Sequence, residues 1–347
     1  MRNDEFRFTG FKCGKRSVIA NSIRYSIFDM RHFAKPLCIL AAISLAFASA
    51  LPRLEALATL KSGKGPYALN LSRDGRRLFV ANFASEEVGV WDLSDPKGRM
   101  RSFYAGPQPI DLALSAAEDK LFVANFKSGL VTVISTRDFK AIDNIKVGGD
   151  PVAVSISRRG DRVFVANWGH TRYGEVDIID AANHQILKSV KAGIRPLSLA
   201  AAASGEAVYV ANAGSNSITR VDLRSYETRE FSCIEGPNGL ALSRDDKRLY
   251  VAGAIGSQLS MIDVATEKEV RRVHVGKAPF GVVVHPQGWV ATANKDDGTV
   301  SLLSEDLISI TTAKVGKSPH YVIFSSDGAT MYVSLEKENR IAVVAVR

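Results

Sequence analysis

The sequence predicts an all-β chain, a seven-bladed β-propeller of four-stranded antiparallel blades whose ring is closed by an N-terminal strand completing the last blade. Three features point to it. First, the apolar stretch Leu78-Phe79-Val80-Ala81-Asn82 returns as Leu121 to Asn125, Val163 to Asn167, Val208 to Asn212, Leu249 to Gly253, Val290 to Asn294 and Met331 to Leu335, seven copies in all. Second, sixteen residues before the last position of each copy stands a proline: Pro66, Pro109, Pro151, Pro196, Pro237 and Pro319, with Pro279 one residue closer to Asn294. Third, the two ends of the array are complementary. The seventh unit runs out after Ile341 to Val346, and an orphan strand around Ala56 to Lys61 stands just ahead of Gly63 and Pro66.

Each unit reads as four short strands. The first follows the proline, as in Tyr67-Ala68-Leu69-Asn70-Leu71, and a turn built from Asp74-Gly75, Gly160-Asp161, Gly205-Glu206, Asp245-Asp246 or Asp327-Gly328 ends it. The second is the signature stretch. Five residues rich in valine and aromatics, apolar on both faces, describe a strand buried on both sides. The third ends most often in aspartate, at Asp92, Asp180, Asp222 and Asp263. A more polar fourth strand, such as Ala141 to Val147, leads to a glycine three residues before the next proline, at Gly106, Gly148, Gly193, Gly276 and Gly316. Polarity that rises outward suits an exposed edge strand. No stretch of the array reads as a helix. Sheets that are apolar on both faces find cover by radial stacking, whereas a linear stack would need polar caps that this sequence does not have.

The first fifty residues differ in kind. Arg31 and Lys35 precede an apolar segment from Pro36 to Phe47 and the small-residue triplet Ala48-Ser49-Ala50. This is the layout of a secretory signal peptide cleaved after Ala50, and the apolar run falls short of the roughly 20 residues of a membrane-spanning helix. Residues 1 to 50 are therefore expected to be a leader and 51 to 347 the propeller, in the periplasm or secreted. Met30 sits just before the positive segment, so residues 1 to 29 are either an extended leader or lie upstream of the true start. Removing the leader removes Cys13 and Cys38, leaving Cys233 alone and an internal disulfide impossible. It also leaves 37 Lys and Arg against 33 Asp and Glu, a net of +4 where the whole chain carries +9. That modest charge gives no support for a nucleic-acid partner. The mature chain has no candidate membrane span and is expected to be a monomer.

The Phe-Val-x-Asn or Tyr-Val-x-Asn repeat followed by a Val-x-Val-x-Asp-like strand resembles the YVTN-repeat β-propeller family, including YncE-like exported members, over about residues 55 to 347. The departures are Gly253 and Leu335 in place of Asn, and Ala291 in place of the aromatic, where Trp289 offers a substitute. The resemblance implies the fold. It leaves open function, because related propellers include lactonases, quinoprotein and haem domains, and surface-layer or scaffold proteins.

The proline end of strand one and the Asn end of strand two should share one face of the disc, around the mouth of the central channel. Residues that break the repeat on that face are the candidates for function. Asp111 stands in a column otherwise filled by Ala68, Ala153, Ser198, Gly239, Gly281 and Tyr321, and a carboxylate there needs channel water or a partner. His320 follows Pro319 where other blades place Tyr67, Ile110, Val152, Leu197, Asn238 and Phe280. It offers a base or a metal ligand, or else a hydrogen-bonded surface group. Asp111 and His320 are the candidate catalytic pair of a lactonase-like hydrolase. Phe83, Phe126 and Trp168, each after a signature Asn, form either a stacking shelf for a sugar, peptide or unstacked base, or covers for the hairpins beneath them. Arg172, Arg195 and Lys295, with other lysines such as Lys127, hint at an anionic partner, and His170 lies in the longest loop of this face. Tyr321 adds polarity beside His320. The signature asparagines read as turn residues that tie down the loop after strand two.

Motifs for a nucleophilic serine, a zinc protease, paired cysteines, a calcium loop or a phosphate cradle are absent from the sequence, and no cofactor or metal is expected. The leading reading is an exported, non-catalytic propeller that binds a protein or a small or polymeric ligand on this face. The lactonase-like hydrolase is the alternative, and a quinone- or metal-associated accessory protein is a third reading.

Overall fold

The computed structural model describes residues 52–95, 98–169 and 173–347. The expected leader, residues 1 to 50, lies outside the described residues, as do His170 and Arg172. The described chain forms seven four-stranded antiparallel sheets. Blade two is typical, with strands Pro109–Leu114, Lys120–Asn125, Leu130–Ser135 and Ala141–Lys146 in order from the channel outward. Each second strand is almost wholly buried, with Leu121, Phe122, Val123 and Ala124 all at 0% exposure. The fourth strands carry most of the exposed residues.

Seven hydrophobic clusters lie one at each seam between neighbouring blades. This is the direct consequence of strands that are greasy front and back: each face is covered by the blade beside it. The seam between blades seven and one is the thinnest, with only Leu69, Leu78, Val80 and Ile341 fully buried. That seam is reinforced by polar contacts. Ser334, where the other blades have alanine or threonine-flanked alanine, donates its hydroxyl to the Tyr67 carbonyl at 2.6 Å and accepts from the Tyr321 amide at 2.9 Å. Elsewhere a basic residue opening the second strand reaches the next blade's backbone: Arg77 to Thr136 O at 3.3 Å, Lys120 to Ala181 O at 3.2 Å and Arg162 to Leu223 O at 3.1 Å.

The ring closes as expected. Leu54–Lys61 pairs antiparallel with Arg340–Val346, from Leu54 opposite Val346 to Lys61 opposite Arg340. Leu57 is bulged out of the ladder and exposed. Arg347 pairs with Glu55 at 2.7 Å, and the Asn339 side chain accepts from the Gly65 amide at 2.9 Å. One expectation changes: the loop after Leu335 holds a short 3-10 turn, Glu336–Glu338, ended by Asn339 in the left-handed region. Trp289 packs against the cluster that contains Ala291, supplying bulk the smaller residue lacks.

The signature asparagines do more than hold a loop. All five are buried, and four donate their amides to the third strand: Asn125 to Thr132 at 2.8 Å, Asn212 to Thr219 at 2.9 Å, Asn294 to Ser301 at 2.9 Å and Asn167 to Asp177 at 2.8 Å, while Asn82 instead accepts from the Ser62 hydroxyl at 2.6 Å. In blades one, two, four and six the chain entering the blade crosses directly over this side chain. A Cβ on Gly106 would sit 2.5 Å from Asn125, on Gly193 2.6 Å from Asn212 and on Gly276 2.6 Å from Asn294. Blade five reverses the pair: Gly253 replaces the asparagine, Ile234 replaces the crossing glycine, and a Cβ on Gly253 would stand 2.6 Å from Ile234. The size taken from one partner is returned by the other.

Two outcomes follow from this packing. Deleting residues 52–61 should leave blade seven with an open edge, seen as unfolding or as polymers in light scattering, while a chain of unchanged size and melting temperature would contradict the closure. Gly253→Asn should destabilise by about 1–3 kcal/mol through overpacking. Combined with Ile234→Gly it should recover most of that loss in denaturant titrations, a non-additivity expected of residues in contact.

Candidate functional site

The mouth face is assembled by one hydrogen bond repeated in every blade. The amide after the signature position donates to the carbonyl before the proline: Phe83 to Gly65, Phe126 to Gln108, Trp168 to Asp150, Ala213 to Arg195, Ala254 to Gly236, Lys295 to Ala278 and Glu336 to Ser318, at 2.7 to 3.1 Å. The first and second strands are thereby locked at their inner ends, with Pro151 opposite Asn167 as an example. The residues following proline and asparagine consequently surround the channel mouth, as the sequence implies.

The three expected shelf residues do meet. Ring centroids are 6.4 Å apart between Phe83 and Phe126 and 5.5 Å between Phe126 and Trp168. Phe126 and Trp168 also pack on the core seam between blades three and four, so the rings cover the blade and touch one another at once. The arc continues beyond the expected set. Tyr67 lies 5.9 Å from Phe83, His320 lies 3.6 Å from Tyr67, and Phe280 lies 3.8 Å from His320. Tyr67 and Phe280 were visible in the post-proline column only as large residues, and nothing in one dimension shows that blades six, seven and one bring them around the histidine.

Cations decorate this arc. The Arg195 guanidinium stands 5.6 Å from the Trp168 ring and the Lys127 ammonium 5.7 Å from Phe126, arrangements that attract a cation to an aromatic face. Arg195 holds a left-handed backbone, φ 55°, immediately before Pro196. Among the described residues neither cation pairs with a carboxylate. Lys295 differs: it lies 5.9 Å from Phe280 but is neutralised by Glu336 at 2.8 Å.

His320 is not at the surface. It is 0% exposed, enclosed by Tyr67 and Phe280, and neither ring nitrogen has a hydrogen-bond partner. Burial, with the Lys295 charge adding to it, holds its pKa well below the usual histidine value, so the ring is neutral. A surface base or a solvent-facing ligand is not what this geometry presents.

Asp111 likewise is not bathed in channel water. It is 7% exposed, and its oxygens accept from the Leu112 amide at 2.9 Å and the Val154 amide of the next blade at 2.9 Å. The Tyr321 side chain stands near enough to favour the ionised carboxyl, as the two amides do. Burial dominates over these bonds and pushes the carboxyl up to about 7, while the same burial and the Asp111 charge raise Tyr321 well above an ordinary tyrosine. Ser198 plays the matching role one pair of blades away, accepting from the Leu240 amide at 3.3 Å. Both satisfy inner-edge amides that face the channel.

The fold and this face carry a family signature. Residues 188–287 match the YNCE-like beta-propeller family. The match begins in the outer strand of blade three, Ile186–Lys191, spans blades four and five and ends just past the first strand of blade six, Pro279–Val284. That segment of the seven-bladed ring is thus similar to the YNCE-like propellers, the resemblance that the repeat implied. No curated protein matches the chain. Among solved structures it is similar to Kuenenia stuttgartiensis hydrazine synthase, with a TM-score of 0.74 and 19% identity, over 84% of this chain and 98% of that one. Likeness at that identity concerns the fold. Among the described residues no group of three or more His, Cys, Asp or Glu side chains converges as a metal site would. No helix there is long and apolar enough to cross a membrane.

The two buried groups pull stability in opposite directions with pH. His320 has a folded pKa below its ordinary 6.5, so the unfolded chain takes up the proton first and stability falls as pH drops through 6.5. Asp111 has a folded pKa above its ordinary 3.8, so the unfolded chain ionises first and stability falls as pH rises from about 4 to about 7. His320→Phe should therefore remove the acid-side loss and raise stability at neutral pH by about 1–3 kcal/mol, the cost of unsatisfied buried polar groups. Denaturant midpoints at pH 5 and 7 check both. A His320→Phe protein less stable than wild type at both pH values would contradict the enclosed, unpaired imidazole.

Proposed function

We propose that this chain is an exported, monomeric propeller that works as a binding scaffold, engaging an anionic ligand or partner protein on the channel-mouth face. One observation carries the reading: two cations, Arg195 and Lys127, sit on adjacent members of an aromatic arc with no carboxylate to neutralise them among the described residues. Aromatic and arginine side chains in such clusters dominate binding energy because they present large, stiff surfaces at small entropic cost. Partly buried aromatic faces give area, and the unpaired cations select for negative charge. The loop of His170 and Arg172 follows Trp168 directly in sequence. The leader expected from the sequence, with cleavage after Ala50, supports a periplasmic or extracellular location.

The hydrolase reading keeps one point in its favour, a carboxyl near neutrality beside the channel. It requires turnover of a small lactone that disappears in Asp111→Asn. No turnover by wild type removes it.

Cross-linking of the exported protein to its cellular partners tests the binding reading. Trp168→Ala should weaken capture by about 30-fold, the equivalent of about 2 kcal/mol for a central aromatic, and Arg195→Glu should abolish it. Capture unchanged in both variants would sink the proposed face. Mass spectrometry of the exported protein should find Leu51 at the N-terminus.

A further inference from the structure

Below the mouth, all seven first strands enclose a chamber of about 200 Å³ on the propeller axis. Its wall exposes more polar than apolar surface, although Leu112, Leu199, Leu240 and Phe280 are among its members. Into it project polar groups that break the repeat. Asn238 stands in the post-proline column, where blades two, three and four carry Ile110, Val152 and Leu197, and its amide has no intramolecular partner. Asn70 and Ser155 line the chamber equally unengaged, and Ser198 accepts one amide but keeps its hydroxyl proton to donate. Asp111 spends its oxygens on two backbone amides, and a carboxylate with about four acceptor sites keeps acceptor capacity to spare. Several polar groups converging on one cavity are a usual mark of a small-molecule site; this one is more polar than most and falls below the ~300–1,000 Å³ of drug-sized pockets, which suits a small polar ligand.

The charge of the wall narrows the class. Asp111 is the sole acid among the lining residues, and no Lys, Arg or His is among them. Lys295, close to the Phe280 ring, lies outside the lining and is held by Glu336. His320, on the Phe280 ring, is neutral and outside it too. Tyr321 is the only other titratable group in the wall. An anion entering this chamber would meet a carboxyl and no cation. A cation would meet the spare Asp111 oxygen, amide and hydroxyl oxygens, and the face of Phe280.

We propose that the axial chamber binds a small molecule bearing a primary ammonium group, with Asp111 as its counter-ion and Asn238 as an orienting hydrogen-bond partner. A buried acid that lacks a charge partner is costly to ionise, and an ammonium supplies that partner. The site is separate from the mouth-face reading and does not depend on it.

Calorimetric and thermal-shift titrations of the full mature chain with methylamine, ethanolamine and putrescine, with glycerol as the neutral probe, decide the matter. At least one amine should bind saturably and raise the melting temperature, glycerol should not, and the effect should fall at least tenfold in Asn238→Leu and vanish in Asp111→Asn. Asp111 also supports two backbone amides, so Asn238→Leu, which breaks no internal bond, carries the test if Asp111→Asn folds poorly. Absence of saturable binding by all three amines overturns the proposal, as does an amine effect unchanged in Asn238→Leu or matched by glycerol. Trp168→Ala should leave amine binding intact, so failure of the mouth-face reading and failure of this one give different results.

Discussion

No blade of this protein can cover itself. Phe79, Phe122 and Phe164 are fully buried in second strands whose neighbours on the same strand are equally buried on the opposite face. Removing both faces from water requires a neighbour on each side, and the only arrangement that gives all seven sheets two neighbours is a closed circle. Hydrophobic cover thus fixes the topology, and the rest of the structure is the set of devices that make the circle meet. The weakest point is where it must be joined by chain ends instead of continuous chain. Inside blade seven an edge strand and an ion pair join the two ends, and at the neighbouring seam with blade one, the thinnest apolar seam, the Asn339 and Ser334 side chains add polar ties.

A second constraint is close approach. Chain crossing from one blade to the next runs over the inner end of the second strand, and no side chain fits between the crossing and a signature asparagine. The glycine three residues before the proline and the asparagine are therefore one unit, though they lie nineteen positions apart in the sequence. Blade five shows the unit is steric in origin, since isoleucine over glycine fills the same space as glycine over asparagine. The aspartates that end the third strands have a humbler part. Asp180 and Asp222 each accept two amides of the turn that follows, and those bonds hold their carboxyls below the ordinary range.

Blade number, strand order, closure and the shared face of the proline and asparagine ends were all legible in the sequence, because each is a periodic property and seven copies reinforce one another. Non-periodic residues were harder. Phe83, Phe126 and Trp168 could be placed together because they occupy one column on consecutive blades. His320 could be placed near the mouth but not beneath Tyr67 and Phe280, because burial there depends on how far the post-proline side chains of blades six, seven and one lean toward one another. Asp111 was recognised as an intruder in a small-residue column. Its partners, the Val154 amide one blade on and Tyr321 two blades back, could not be read, because a column gives radius and height without direction around the ring.

The mouth is consequently where the sevenfold logic lapses, and the manner of the lapse is informative. Blades one to three raise aromatics over the rim, blades four and five leave alanines, and blades six and seven place an ion pair beside an enclosed imidazole. Repetition would have been the stable choice: a phenylalanine at position 320 and a small residue at 111 would avoid two unsatisfied nitrogens and one hard-to-ionise acid. Groups that lower stability, Asp111 by resisting ionisation toward neutral pH and His320 by its unpaired nitrogens and by resisting protonation in acid, are not explained by the packing that explains everything around them. In a molecule whose other departures from the repeat are compensated within the same blade, as Gly253 is by Ile234, the uncompensated ones mark the channel and its mouth as the part of the surface shaped by something other than folding.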